Sequence, residues 1–327
     1  MVSRKVIINI LFLAIASLIS LTYGGMQSES LNIFNLSHID KIVALELRLP
    51  KIITAIVVGL SLSIAGHLYQ VMLSNSLAEP SLLGVSGFCS LFIVSGAAIY
   101  SYYAIRYDVF SIVGFGIVGA CIAIYIVFTL AKRIGSHSSA SLILTGICLT
   151  TITSAITSWL IYYTNNDQLR GFSLWMLGSF EHVTYQQLLI ISALVIPLIA
   201  YVLSKTKQLN FLYLGEKNAQ LYGVNVIDLR RKMLITASIL TAAAVTLGGI
   251  LTFVGLLIPH ATRFLVGHNN NTLLPNLIIN GALCMVFVEW ISRTMTPLQL
   301  PLSLVTTSIG GPLFLFVLYR HFKDQGL

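Results

Sequence analysis

Nine windows without a charged residue divide this chain: 6–28, 52–78, 80–105, 109–131, 134–166, 182–204, 233–262, 264–288 and 294–319. A helix needs ~20 apolar residues to cross a bilayer. In hydrocarbon, backbone groups must bond within the protein, and a helix does this inside one segment. The pattern therefore predicts an all-α, polytopic membrane protein. Composition leads to the same place. Only 9% of residues are charged, against roughly 25% in soluble domains. With 56% hydrophobic residues, disorder is excluded too, because disorder needs low hydrophobicity and high charge.

Counting windows does not fix the number of spans, since Glu79 alone parts the second from the third and Arg263 alone parts the seventh from the eighth. Parity does. Lys and Arg collect on the cytoplasmic side, so Arg4 and Lys5 place the N-terminus inside, and Arg320 and Lys323 place the C-terminus inside. The basic stretch 205–232 belongs there as well. Six spans before that stretch and four after it satisfy all three. They run roughly 6–23, 52–73, 82–100, 109–131, 139–163, 185–204, 232–250, 254–267, 273–292 and 302–320. Thirteen of the nineteen basic residues then lie inside. The outer six are Lys41, Arg48, Lys51, Arg106, Arg170 and Arg293. Fitting four spans into 233–319 requires at least one short helix. It also requires tight turns, for which Gly248-Gly249, Asn269–Asn271 and Thr296-Pro297 are suited. The first apolar run resembles a signal peptide but is as long as a span and lacks an obvious cleavage site, so it is expected to remain as the first helix.

Several function classes drop out. The net charge of +8 reflects orientation, since no basic stretch is interleaved with aromatics as in nucleic-acid binders. There is no GxxxxGK[ST] loop for nucleotide phosphates, no paired His–carboxylate metal motif, and no catalytic constellation. No cofactor is expected. Cys89, Cys121, Cys148 and Cys284 lie in apolar runs without a CxxC and read as small hydrophobes. Uphill transport would need a partner motor or an ion gradient. An ion-coupled carrier would need a buried carboxylate, for which only Glu79 and Glu289 are candidates.

The segment 214–225 reads as two short helices broken by glycine. It is either a knob for a motor or an amphipathic linker on the inner leaflet. Within the spans, His67 sits among Gly59, Ser61, Ser63, Ala65 and Gly66, small residues that permit close helix approach or line a pore. His260 follows Pro259 at a helix start and reads as structural. The fifth span carries Thr145, Thr150, Thr151, Thr153, Ser154, Thr157 and Ser158. These hydroxyls could face a wet path or bond back to helix carbonyls. Glu289 and Arg293, four residues apart, can pair on one helix face.

Particular residues carry a family likeness. Arg48-Leu49-Pro50-Lys51 is followed by Gly59, Gly66 and Gln70. Asn75–Pro80 and Leu83–Ser86 come next, then Phe253–His260 with Arg263, Leu300-Pro301 and Gly310–Phe314. In order, these resemble the FecCD family of ABC importer permeases, which take up ferric siderophores, haem and cobalamin. Ser76, His67 and Lys51 depart from the family's usual residues. The resemblance implies one transmembrane permease unit, 1–327, in a bacterial plasma membrane. It implies a homodimer, or a heterodimer with a similar permease, and two copies of an ABC ATPase on the 205–230 loops. Coupling would then fall to Gly215, Glu216, Ala219 and Gly223. It implies a binding protein docked on Arg48, Lys51 and Arg293, and a path or gate that includes His67, Thr145, Thr150 and Ser154. Ferric siderophores are the default substrate, with haem and then cobalamin as alternatives.

Overall fold

The computed structural model describes residues 4–23, 38–103, 105, 107–133, 139–163, 173–296 and 299–324. Arg106 and Arg170 lie outside the described residues. The elements are α1 Arg4–Thr22, α2 His38–Met72, a 3-10 turn Pro80–Leu83, α3 Val85–Tyr102, α4 Val109–Arg133, α5 Ser139–Tyr163 and α6 Tyr185–Ser204. They continue as α7 Thr206–Leu212, α8 Glu216–Leu221, α9 Val226–Gly248, α10 Val254–Val266, α11 Asn270–Thr294 and α12 Leu302–Asp324. Among the described residues eight helices are long and apolar enough to cross a membrane, and α10 and the described part of α12 are shorter apolar helices. These ten occupy the ten expected spans.

The largest departure is α2. Its first fourteen residues, 38–51, were expected in a polar connection because Asp40, Lys41, Glu46, Arg48 and Lys51 are charged. Instead they add ~21 Å of helix. Pro50, which would break a uniform helix, lies in the first turn after a π-helical stretch at Val43–Arg48. There its missing N–H costs little.

The spanning parts of α2 and α9 form the centre and are mostly buried, whereas α1 and α6 are mostly exposed. Sequence explains the difference. α2 carries Gly59, Ser61, Ser63, Ala65 and Gly66, and α9 carries Ala237, Ser238 and Ala242–Ala244, all buried. Small side chains let backbones approach closely, which drives helix association where lipid is as apolar as leucine. α2 packs on α11, α9 and α10; α4 packs on α3 and α9.

The turns resolve the crowding after residue 232. Gly249 ends α9 with φ +72°, a value that favours glycine. Asn269 caps α11, accepting from the Asn271 N–H at 3.0 Å. Phe253 opens α10 at φ +66°. The Glu79 carboxylate accepts from the Ser81 hydroxyl in the 3-10 turn, and burial pushes that carboxyl above its ordinary range. Glu79 thus serves a turn.

Bonds between the helix ends fix the parity. Lys5 Nζ donates to the Leu265 carbonyl at 2.9 Å, and Arg230 Nε to the Met72 carbonyl at 2.9 Å. That end also holds α7 and α8. At the opposite end Arg48 donates to the Leu21 carbonyl, and Arg293 to Ser20. α12 starts at that far end, where the Leu300 N–H donates to Ser292, and brings Phe314 back toward the Lys5 end. The basic end is cytoplasmic by the charge rule.

Candidate functional site: a coupling knob, a hydroxylated helix and a basic outer end

The knob is built from two glycine hinges. Gly215 (φ +92°) turns the chain out of α7 and into α8, and Gly223 (φ +78°) turns it into α9. Ala219 is fully buried beneath α8, and its carbonyl accepts the Val224 N–H at 3.1 Å. Phe211 stacks on Tyr222 with ring centroids 4.9 Å apart. These contacts set a firm base. Above it Leu214, Leu221, Tyr222 and Ile227 are exposed. Glu216 does not project outward alone, because it pairs with Arg230. Through Arg230 the knob is tied to the Met72 carbonyl at the end of α2.

A second tie lies deeper. Asn210 on α7 accepts from the backbone N–H and side-chain amide of Asn270, at 2.8 and 2.9 Å. The Asn270 Oδ1 lies 2.8 Å from His67 Nε2. Arg263 of α10 donates to Gln70 and lies 3.5 Å from His67 Nδ1. His67 is therefore enclosed in an interhelical network and lines no open space in this chain. Its sequence neighbours gave no sign of this, since Asn270 is 203 residues away.

The hydroxyls of α5 divide between the two readings. Those of Thr150, Thr151, Thr153, Thr157 and Ser158 all donate to carbonyls one turn back, and Thr150 also to Ser81. Thr145 is buried. Thr151, Ser154 and Ser158 lie on the helix's exposed side beside Ile147 and Trp159. Cys121 and Cys148 are also exposed, whereas Cys89 is buried.

At the outer end all three expected docking cations have partners within the chain. Arg48 is only 3% exposed and donates to the carbonyls of Leu21 and Thr22 at 2.8 and 3.0 Å. It thereby closes the end of α1 and presents little to a rim. Lys51 Nζ donates to Gln299 Oε1 at 2.9 Å. Arg293 Nε donates to Glu289 Oε1 at 2.9 Å, and Nη2 to the Ser20 carbonyl at 2.7 Å. Ser20 Oγ donates to Glu289 Oε2 at 3.1 Å. The sequence reading missed Ser20, which no motif marks.

A many-span helical bundle with a glycine-hinged knob on its basic end is the architecture of a membrane transport subunit. Residues 11–320 match the FecCD transport family, and the chain belongs to that family. It is the non-catalytic, multi-pass permease subunit of an ABC importer, a class that functions with an ATPase and a binding protein. The hemin transport system permease HmuU of Yersinia pestis is 33% identical over 321 residues, 97% of this chain and 95% of that one. The vitamin B12 import permease BtuC of Vibrio cholerae is 32% identical over 286 residues, 87% of this chain and 85% of that one. A metal-chelate type ABC transporter solved facing inward superposes with a TM-score of 0.85 at 29% identity, covering 97% and 99% of the two chains.

Proposed function

We propose that this permease imports a metal tetrapyrrole, haem first and cobalamin second, ahead of the ferric siderophores that the family resemblance alone made the default. The observation that carries this reading is the likeness to the hemin permease across almost the whole chain. Cobalamin keeps second place because several B12 permeases are also similar at 30–32% identity. The experiment is uptake by a strain lacking this chain, supplied with hemin, labelled cobalamin and several radio-iron siderophores. Hemin uptake is expected to fall at least tenfold and to return with the wild-type gene. Selective loss of a siderophore instead would overturn the substrate reading while leaving the family intact.

In the proposed mechanism two ATPase copies hold the α8 knobs of two permeases, this chain with itself or with a similar one. The path runs between them, bordered by the exposed side of α5 with Ser154. Closure of the ATPases pushes α8. The push passes through Glu216–Arg230 to the end of α2, and through Asn210–Asn270 to His67 and α11. No ion is needed for this coupling. Glu79 holds a turn and Glu289 an arginine, which leaves neither poised as a carrier of protons. At the outer end Lys51, backed by Arg48 and Arg293, supplies a positive field that steers an acidic binding protein, an effect on encounter more than on affinity.

Gly223 tests the hinge. An added Cβ there would meet nothing within 4 Å, so the cost of Gly223→Val is backbone strain of roughly 1–2 kcal/mol. The variant is expected to accumulate in the membrane near wild-type levels. Co-purification with the ATPase should drop about tenfold and uptake with it. Unchanged co-purification would remove Gly223 from the coupling role.

A further inference from the structure

Beneath the knob lies a cavity of about 690 Å³, within the ~300–1,000 Å³ range of small-molecule sites. It is open to the cytoplasmic end through the exposed turn at Ser74 and the Gly215 hinge. Leu256, Leu257 and Phe314 give it apolar walls. Arg263, His260, His268 and Tyr213 supply polar groups, and among the described residues no Asp or Glu lines it. Arg263 is the centre of interest. Its partners, Gln70 and His67, are neutral, and among the described residues no carboxylate lies within ion-pair distance. A partly buried guanidinium without an anion is costly, and planar donors of this kind match a carboxylate in a bidentate fork.

The geometry points to a binding site for an apolar molecule bearing a carboxylate, held through Arg263 at the cytoplasmic exit. On the tetrapyrrole reading above, on which this rests, the ligand is the imported chelate itself, caught by its acidic edge as it leaves. The site is separate from the face of α5 proposed to border the path. Its wall at Tyr213 and Gly215 is also the base of the knob, so an occupied site is felt where the ATPase sits.

The test uses the full-length permease in phosphatidylcholine nanodiscs, with hemin and its dimethyl ester as probes in equilibrium dialysis. Hemin carries two carboxylates; the ester keeps the ring and removes the charge. Saturable hemin binding is expected, with the ester about ten- to a hundredfold weaker, the loss that follows from removing a charged hydrogen bond. Arg263→Gln should weaken hemin by a similar factor and leave the ester unchanged. Arg263→Lys, which keeps the charge but not the planar fork, should recover only part of the hemin affinity. The ester comparison needs only wild-type protein, so a misfolded variant cannot hide the answer. Equal binding of acid and ester, or no saturable binding at all, overturns the site. So does an Arg263→Gln variant that loses ATPase association but not hemin, which would assign the cation to an acidic partner side chain. Haem uptake by the reconstituted importer is scored separately. Uptake that ignores Arg263 sinks the site and spares the substrate reading. Arg263-dependent binding without uptake does the reverse.

Discussion

Glu289→Leu is expected to cost about 3–5 kcal/mol, the usual penalty for leaving a buried charge without its partner. Glu289 is fully buried and the Arg293 side chain is only 11% exposed. In the variant Arg293 would keep its bonds to the Ser20 carbonyl and hydroxyl and to the Tyr23 carbonyl, at 2.7, 2.9 and 3.2 Å. None of these offsets the charge. The damage would spread, because Ser20 and Tyr23 belong to the end of α1, where the bonds from Arg48 to the Leu21 and Thr22 carbonyls would be left to hold the helix end. The readout is the fraction of monodisperse permease left after heating, measured by size exclusion. The double variant Glu289→Leu, Arg293→Met removes both charges and should recover much of the loss. A single variant as stable as the double would mean that the pair is not what holds α1. The same double variant separates structure from docking. If it is stable yet takes up substrate poorly, Arg293 also serves the binding protein.

The spans were legible because hydrocarbon permits so few backbone solutions. Uncharged length and the asymmetry of Lys and Arg were enough to reach ten helices with both termini on the basic side. Local spacing likewise exposed Glu289 and Arg293, and the glycines of the knob. What stayed hidden is long-range. Arg48 looked like an outer-rim cation, but the free carbonyls at the end of α1 draw it inward. His67 looked like a lone histidine in a small-residue helix, and its partner Asn270 sits at the start of α11. The charged run at 38–51 read as a connection because composition does not reveal a π-helical turn that lets one helix pass a proline. For the α5 hydroxyls both readings were open from sequence, and five of them bond back to the helix. Gln70 and Arg263 stood out only as letters of a motif, and their contact across α2 and α10 gives them a physical role.

Gly59→Val should be more damaging than its modest size implies. A Cβ at Gly59 would lie 2.1 Å from the Gly281 carbonyl oxygen and 2.6 Å from its carbon, and a Cβ at Gly281 would lie 2.4 Å from the Gly59 oxygen. Both obstacles are backbone, so no rotamer change relieves them. Overpacking a core ordinarily costs about 1–3 kcal/mol, and here whole helices must separate. The contact between α2 and α11 is the most extensive in the bundle, and α11 carries Asn270, Asn276, Asn280 and Glu289. Moving it apart would strain the His67 network, the bonds from Asn9 to Asn276 and Asn280 at 3.0 Å, and the Glu289 pair together. Gly59→Val is therefore expected to leave little folded permease in the membrane, with Gly59→Ala intermediate. Gly311→Ala is the control, since nothing lies within 4 Å of a Cβ there. Alanine favours a helix over glycine by roughly 1 kcal/mol, so that control should be neutral or slightly stabilising. The opposite sign at Gly59 would then belong to the close approach of two backbones. If both alanine variants behave alike on heating, the α2–α11 crossing tolerates separation and cannot be the part of the bundle on which the buried polar networks depend.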